Sequence, residues 1–166
     1  MRSLPRAARA YILGIVIIAI VSLGLACRAL VWDPVRLAQI LLFASMIGLA
    51  DLYPIVLPFE DRAEITVSCA VKTAAAIVFG PAETILATVL GTLGAETAMR
   101  RPWYKSAFNT AEMTITFGAA SLFYELLYQG SRLPFYSLRN AAAVLVIMAT
   151  YFVVNTGLVT TVVALT

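Results

Sequence analysis

There is no histidine in the 166 residues, and there are only two cysteines, Cys27 and Cys69. The first absence removes the commonest general base and the commonest metal ligand, and the second leaves too few thiolates for a zinc site. Zinc, haem and Ser-His-Asp chemistry are therefore not expected, and the reading is of a chain with no catalytic residue, no metal and no cofactor. Charge is scarce as well: 13% of the residues are Asp, Glu, Lys or Arg, where soluble domains carry about 25%. The net charge of +3 is no footprint for nucleic acid. Cys69 lies inside an apolar run and Cys27 at the end of another, so both read as free structural thiols rather than a disulfide.

What fills the chain instead is apolar surface, 61% of the residues, with a mean hydropathy of +0.91. A bilayer core about 30 Å thick needs roughly 20 apolar residues per helix, so this length allows six or seven crossings and one domain. The apolar runs predict an all-α bundle of six transmembrane helices over residues 11–26, 37–57, 65–79, 82–99, 106–127 and 140–165. Arg2, Arg6 and Arg9 ahead of the first run resemble the basic end of a signal peptide. The run lacks a small-x-small cleavage site and more spans follow it, so it reads as a retained first span. Gly80-Pro81 is the only break between the third and fourth runs and predicts a tight helical hairpin. The loop with Gly130 and Pro134 separates the last two.

Positive charge sets the expected orientation. With the N-terminus inside, Arg2, Arg6, Arg9, Arg62, Arg100, Arg101 and Lys105 fall on the inner side, and Arg28, Arg36, Arg132 and Arg139 on the outer. Seven against four predicts a multi-pass protein of the plasma (inner) membrane with both termini cytoplasmic. The last run reaches Thr166 with no flanking charge, which leads us to expect a longer natural chain.

A charge at mid-bilayer costs on the order of 3 kcal/mol on insertion scales, so each intramembrane ionisable residue needs a partner or a wet cavity. The candidates are Asp51, Lys72, Glu83, Glu96 and Glu112, with Asn109 and Asn155 as neutral company. At about 1.5 Å per residue, Asp51, Lys72, Glu96, Asn109, Glu112 and Asn155 reach overlapping depths in the inner half from five different spans. Asn109, Glu112 and Thr116 recur at i, i+3 and i+7, one face of the fifth helix. These six residues are the candidate ligand-binding set. Three readings stay open: Lys72 pairing with Asp51 or Glu112 and Glu96 with Arg100 as structural ion pairs, a small-molecule or ion site, and a proton pathway. Glu83 reads as a first-turn carboxylate favoured by the helix dipole, and Glu125 and Tyr128 as interface residues. Thr84, Ala87, Thr88, Gly91, Gly94 and Ala95 give the fourth helix small residues that admit a close neighbour. Arg100, Arg101, Trp103, Tyr104 and Lys105 combine cations with interfacial aromatics and predict a lipid anchor at the inner leaflet, with docking of a cytosolic domain as the alternative.

Val67-Ser68 ahead of an Ala-rich run, Phe79-Gly80-Pro81, the Gly91/Gly94 helix, Arg101-Pro102-Trp103-Tyr104-Lys105-Ser106-Ala107-Phe108-Asn109 and Tyr151-Phe152-Val153-Val154-Asn155-Thr156 carry a resemblance. Over residues 35–166 the chain resembles the N-terminal membrane region of bacterial signalling proteins with HD-GYP, GGDEF or histidine-kinase outputs. The resemblance implies a non-catalytic membrane sensor or anchor module, partnered by the bilayer and a C-terminal cytosolic output domain. The Gly-Pro hairpin and Gly-rich helix also resemble the substrate-binding S components of energy-coupling-factor transporters, which implies a small-molecule ligand and an energising partner. A third expectation is an accessory subunit held among other membrane subunits, without a ligand.

Overall fold

The computed structural model describes residues 4–53, 55–56, 64–65, 67–127 and 138–166, with the side chains of 55, 56, 64, 65 and 139 excepted. Six helices make up nearly all of it: α1 (Arg6–Ala29), α2 (Pro34–Leu52), α3 (Ser68–Val78), α4 (Pro81–Ala98), α5 (Trp103–Leu127) and α6 (Leu138–Ala164). Between α2 and α3, β1 (Ile55–Val56) and β2 (Glu64–Ile65) form a short antiparallel ladder with Ile55 opposite Ile65.

The helix ends follow local chemistry. Asp33 caps α2, its carboxylate accepting the Arg36 amide at 3.2 Å, with Pro34 in the first turn. The expected second span runs on to residue 57, but α2 stops at Leu52. Tyr53 leaves the helical region at φ −119°, ψ 68°, as a residue ahead of a proline (Pro54) is driven to do. The third span was expected over 65–79, yet Ile65 belongs to β2 and α3 has 11 residues, about 16 Å of helix and half a bilayer core. Gly80-Pro81 does break α3 from α4, with Pro81 in the first turn of the new helix.

Among the described residues, length and apolarity sufficient to cross a membrane belong to three helices, α1, α2 and the Asn140–Ala164 part of α6, rather than to all six predicted segments. The reason lies in packing. α4 and α5 are the inner pair, and their polar residues are turned inward: Thr84, Thr88, Thr92 and Glu96 on α4, and Thr110, Glu112, Thr116 and Ser121 on α5, are all buried. Ile12, Ile15 and Ala19 of α1 pack on Phe108 and Ala111 of α5. Ala76 of α3 and Ala143 and Ile147 of α6 pack on Ala120 and Tyr124. Ala111 and Ala120 are nine residues apart, half a turn round at 3.6 residues per turn, so α1 and α3 meet opposite faces of α5, while α6 packs beside α3 at Ala143 and Ile147 and reaches the α1 cluster at Leu158 and Val162. On the far side of α4, α2 packs through Ile40 and Ile47 on Ala87. Here the backbones nearly touch: a Cβ on Gly91 would lie 2.6 Å from the Ala44 carbonyl oxygen and 2.7 Å from Ile47. Gly91 is the small residue this crossing requires; around Gly94 there is open space.

Candidate functional site

The α4–α5 turn shapes one end of the bundle. The Arg100 amide donates to Thr97 O at 3.1 Å and the Arg101 amide to Glu96 O at 3.4 Å, the paired bonds of a Schellman ending. That ending needs a left-handed residue, normally glycine, and Arg100 supplies it at φ 53°. The wrap brings Arg101 back over the last turn of α4, where its guanidinium Nη1 lies 3.4 Å from Glu96 Oε1. The Glu96 partner is therefore Arg101, while Arg100 is exposed.

Just inside this end lies a cavity of about 220 Å³. Asp51, Lys72, Glu96, Asn109, Glu112 and Asn155 all line it, together with Thr92, Met99, Arg101, Met113 and Val159. Five helices thus bring all six sequence-derived candidates to one space. Three small networks hold them. Lys72, 1% exposed, donates to Asp51 Oδ2 at 3.1 Å and to Ser68 Oγ at 2.9 Å, and Thr92 Oγ1 donates to the same Asp51 oxygen at 3.2 Å. Of the two partners open to Lys72 in the sequence, Asp51 takes it. Asn109 Nδ2 donates to Glu96 Oε1 at 3.0 Å, on the oxygen that faces Arg101. Glu112 Oε1 accepts from Thr116 Oγ1 at 3.0 Å and from Asn155 Nδ2 at 2.8 Å, which ties α6 to α5 through a buried carboxylate. Among the described residues no group of three or more Cys, Asp or Glu side chains is arranged to hold a metal ion.

Several participants escaped the sequence reading. Ser68 and Thr92 each sit four residues before a named charge, Lys72 and Glu96, on the same helix face, so spacing alone would have found them. Arg101 was grouped with the interfacial cations. Arg101 also lines the cavity, while Arg100, Trp103 and Lys105 are exposed and Tyr104 is half-buried, with its ring edge-on to Trp103. Glu83 is in the first turn of α4, as expected, but it is also buried against Arg36 of α2, Nη1 to Oε1 at 2.6 Å. Nothing in the sequence links that pair, which is 47 residues apart. Cys69 Sγ meets Tyr151 Oη at 3.1 Å, a second tie between α6 and the bundle, and both cysteines are free thiols. Arg2, Arg62, Tyr128, Arg132 and the loop with Gly130 and Pro134 lie outside the described residues.

Fold and cavity together define an α-helical membrane protein with a charged cavity among its helices. No protein-family model, no curated protein and no solved structure matches this chain.

Proposed function

We propose that this chain is the membrane-embedded sensor or anchor module of a bacterial signal-transduction protein, non-catalytic in itself, in which a small polar solute entering the cavity alters the seating of α6. In this reading all six helices cross the plasma membrane, α3 and its flanking ladder as a shortened crossing, with both termini cytoplasmic and an output domain beyond α6. The cavity then lies in the cytoplasmic half. The count of Lys and Arg on the two sides and the resemblance over residues 35–166 support this orientation and class.

One observation carries the proposal. The wall of the cavity includes Asn155, and Asn155 is also a bond that seats α6. Of the most apolar stretch of α6 only 11% is buried, and other polar ties of the helix include Cys69 to Tyr151 and the Tyr11 hydroxyl to Leu158 O at 3.1 Å. A solute that engages Glu112 therefore competes with part of what positions the helix. To move the balance between two seatings of α6, the solute must bind one of them better than the other by a kcal/mol or so.

The test is a distance measurement in lipid nanodiscs. Spin labels at Thr97→Cys on α4 and Thr160→Cys on α6, with Cys27→Ala and Cys69→Ser as background, report the α4–α6 distance at the cavity end. Asn155→Ala is expected to broaden the distribution and shift it by a few ångströms. A distribution unchanged from the parent would remove the coupling on which the sensor reading depends. The S-component-like reading has the same cavity in its favour. It predicts solute uptake into vesicles when an energising partner is present, which a sensor does not perform.

A further inference from the structure

The cavity is unbalanced in charge and in hydrogen bonding, and both imbalances ask for the same thing. Three carboxylates, Asp51, Glu96 and Glu112, line it with two cations, Lys72 and Arg101. Lys72 is engaged by Asp51 and Ser68, and Arg101 reaches Glu96. Glu112, 2% exposed, has no ion pair among the described residues. Its donors are the neutral groups of Thr116 and Asn155, and both serve Oε1. Glu96 is 4% exposed, and its Oε2 is buried with no hydrogen-bond partner. A carboxylate oxygen taken out of water with no donor is destabilising, and a cavity beside it leaves room for the donor to be a ligand.

We propose that the cavity binds a small organic cation bearing an ammonium group, which donates to Glu96 Oε2 and supplies the positive charge that Glu112 lacks. The inference rests on the reading of the cavity as a solute site and names the class of solute. An ammonium offers up to three N–H donors and no acceptor, which matches carboxylate oxygens that lack a donor. A metal ion is a poor fit, because the carboxylates are not grouped to coordinate one. An anion is disfavoured, because each cation of the wall already faces a carboxylate. Met99, Met113 and Val159 give the rest of the wall an adaptable apolar surface for a short carbon chain. The volume of about 220 Å³ is below the roughly 300 Å³ at which pockets for drug-sized molecules begin, so the amine is small. Among the described residues Asn155 is one of two donors to Glu112, so an ammonium at that carboxylate draws on the negative charge that holds the Asn155 bond and weakens the α6 tie without having to displace it.

The experiment is thermal unfolding of the full chain in lipid nanodiscs with butylammonium chloride, set against butan-1-ol, sodium butyrate and sodium chloride at the same concentrations. Butylammonium is expected to raise Tm by roughly 3–5 °C at tenfold above its Kd, while the other three leave it in place. Glu112→Gln and Glu96→Gln should each abolish the shift, and Glu96→Gln carries this arm alone if Glu112→Gln does not fold. An equal shift with butyrate or butanol overturns selection for a cation and leaves a solute site standing. A butylammonium shift that survives both substitutions puts the binding elsewhere and overturns the proposal. No shift with butylammonium at any concentration also overturns it, and the solute-site reading is then decided by the spin-label distances.

Discussion

Lys72 is the residue most dependent on its surroundings. Its ammonium is buried at the level of the α2 and α3 ends, and its donors go to Asp51 and Ser68. Taking two charges out of water offsets most of their attraction, so such a pair adds little net stability, yet removal of one partner leaves the other charge buried alone. Lys72→Met is therefore expected to destabilise the protein by on the order of 3 kcal/mol, and Lys72→Met with Asp51→Asn should recover a large part of that loss. Chemical or thermal unfolding in detergent checks both, and equal stability of Lys72→Met and the parent would mean that water already solvates Lys72 in the cavity. Arg100 is strained in the opposite sense. Its left-handed backbone disfavours a side chain by about 1 kcal/mol, so Arg100→Gly should stabilise by about that amount without disturbing Arg101 and Glu96. A lower midpoint for Arg100→Gly would count against the Schellman ending as the element that sets this turn.

At the scale of the element, the α2–α4 crossing depends on a missing Cβ. Ala44, Ile47 and Gly48 of α2 meet Gly91 of α4 at distances that no added atom tolerates without movement. Gly91→Ala is expected to push the helices apart and cost about 1–3 kcal/mol, whereas Gly94→Ala, in open space, should be neutral or slightly stabilising through helix propensity. Since Asp51 and Thr92 sit across the same crossing, Gly91→Ala should also loosen the Asp51, Thr92 and Lys72 network. A Gly91→Ala variant as stable as Gly94→Ala would show that α2 and α4 do not approach so closely. The short α3 belongs to this scale too: Lys72 lines the cavity, Ser68 one turn earlier accepts from it, and Ala75 and Ala76 are fully buried in the bundle.

For the whole molecule, apolarity is partitioned by position. α1, α2 and α6 carry the long apolar stretches, while α4 and α5 keep threonines and carboxylates between them. Helices enclosed by others can be polar in a membrane when their side chains hydrogen-bond inward, which is how six proposed crossings coexist with three helices of obvious membrane length. The orientation we propose puts the α1–α2 turn outside and the α4–α5 turn inside. A membrane-impermeant maleimide added to intact cells should thus label Trp32→Cys and spare Arg100→Cys in the Cys27→Ala, Cys69→Ser background, with Arg100→Cys reacting only after the membrane is opened. The reverse pattern inverts the orientation, and labelling of both turns from outside rules out an odd number of crossings between them.

By itself the sequence determined a predominantly helical chain rich in apolar surface, the positions of the six helices to within about five residues at each end, and a set of polar residues at matching depth. These properties follow from local chemistry: apolar runs, Gly80-Pro81, Asp33-Pro34, and the helical spacing of Asn109, Glu112 and Thr116. Tertiary structure decided which polar residue meets which. The choice of Asp51 over Glu112 for Lys72, the burial of Glu83 under Arg36 and the seating of α6 by Asn155 depend on how helices rotate against one another, whereas the turn of Arg101 onto Glu96 is set locally by the left-handed ending of α4. Rotation is set by contacts between segments far apart in the chain, such as Gly91 against Ala44, which periodicity within a single helix cannot specify.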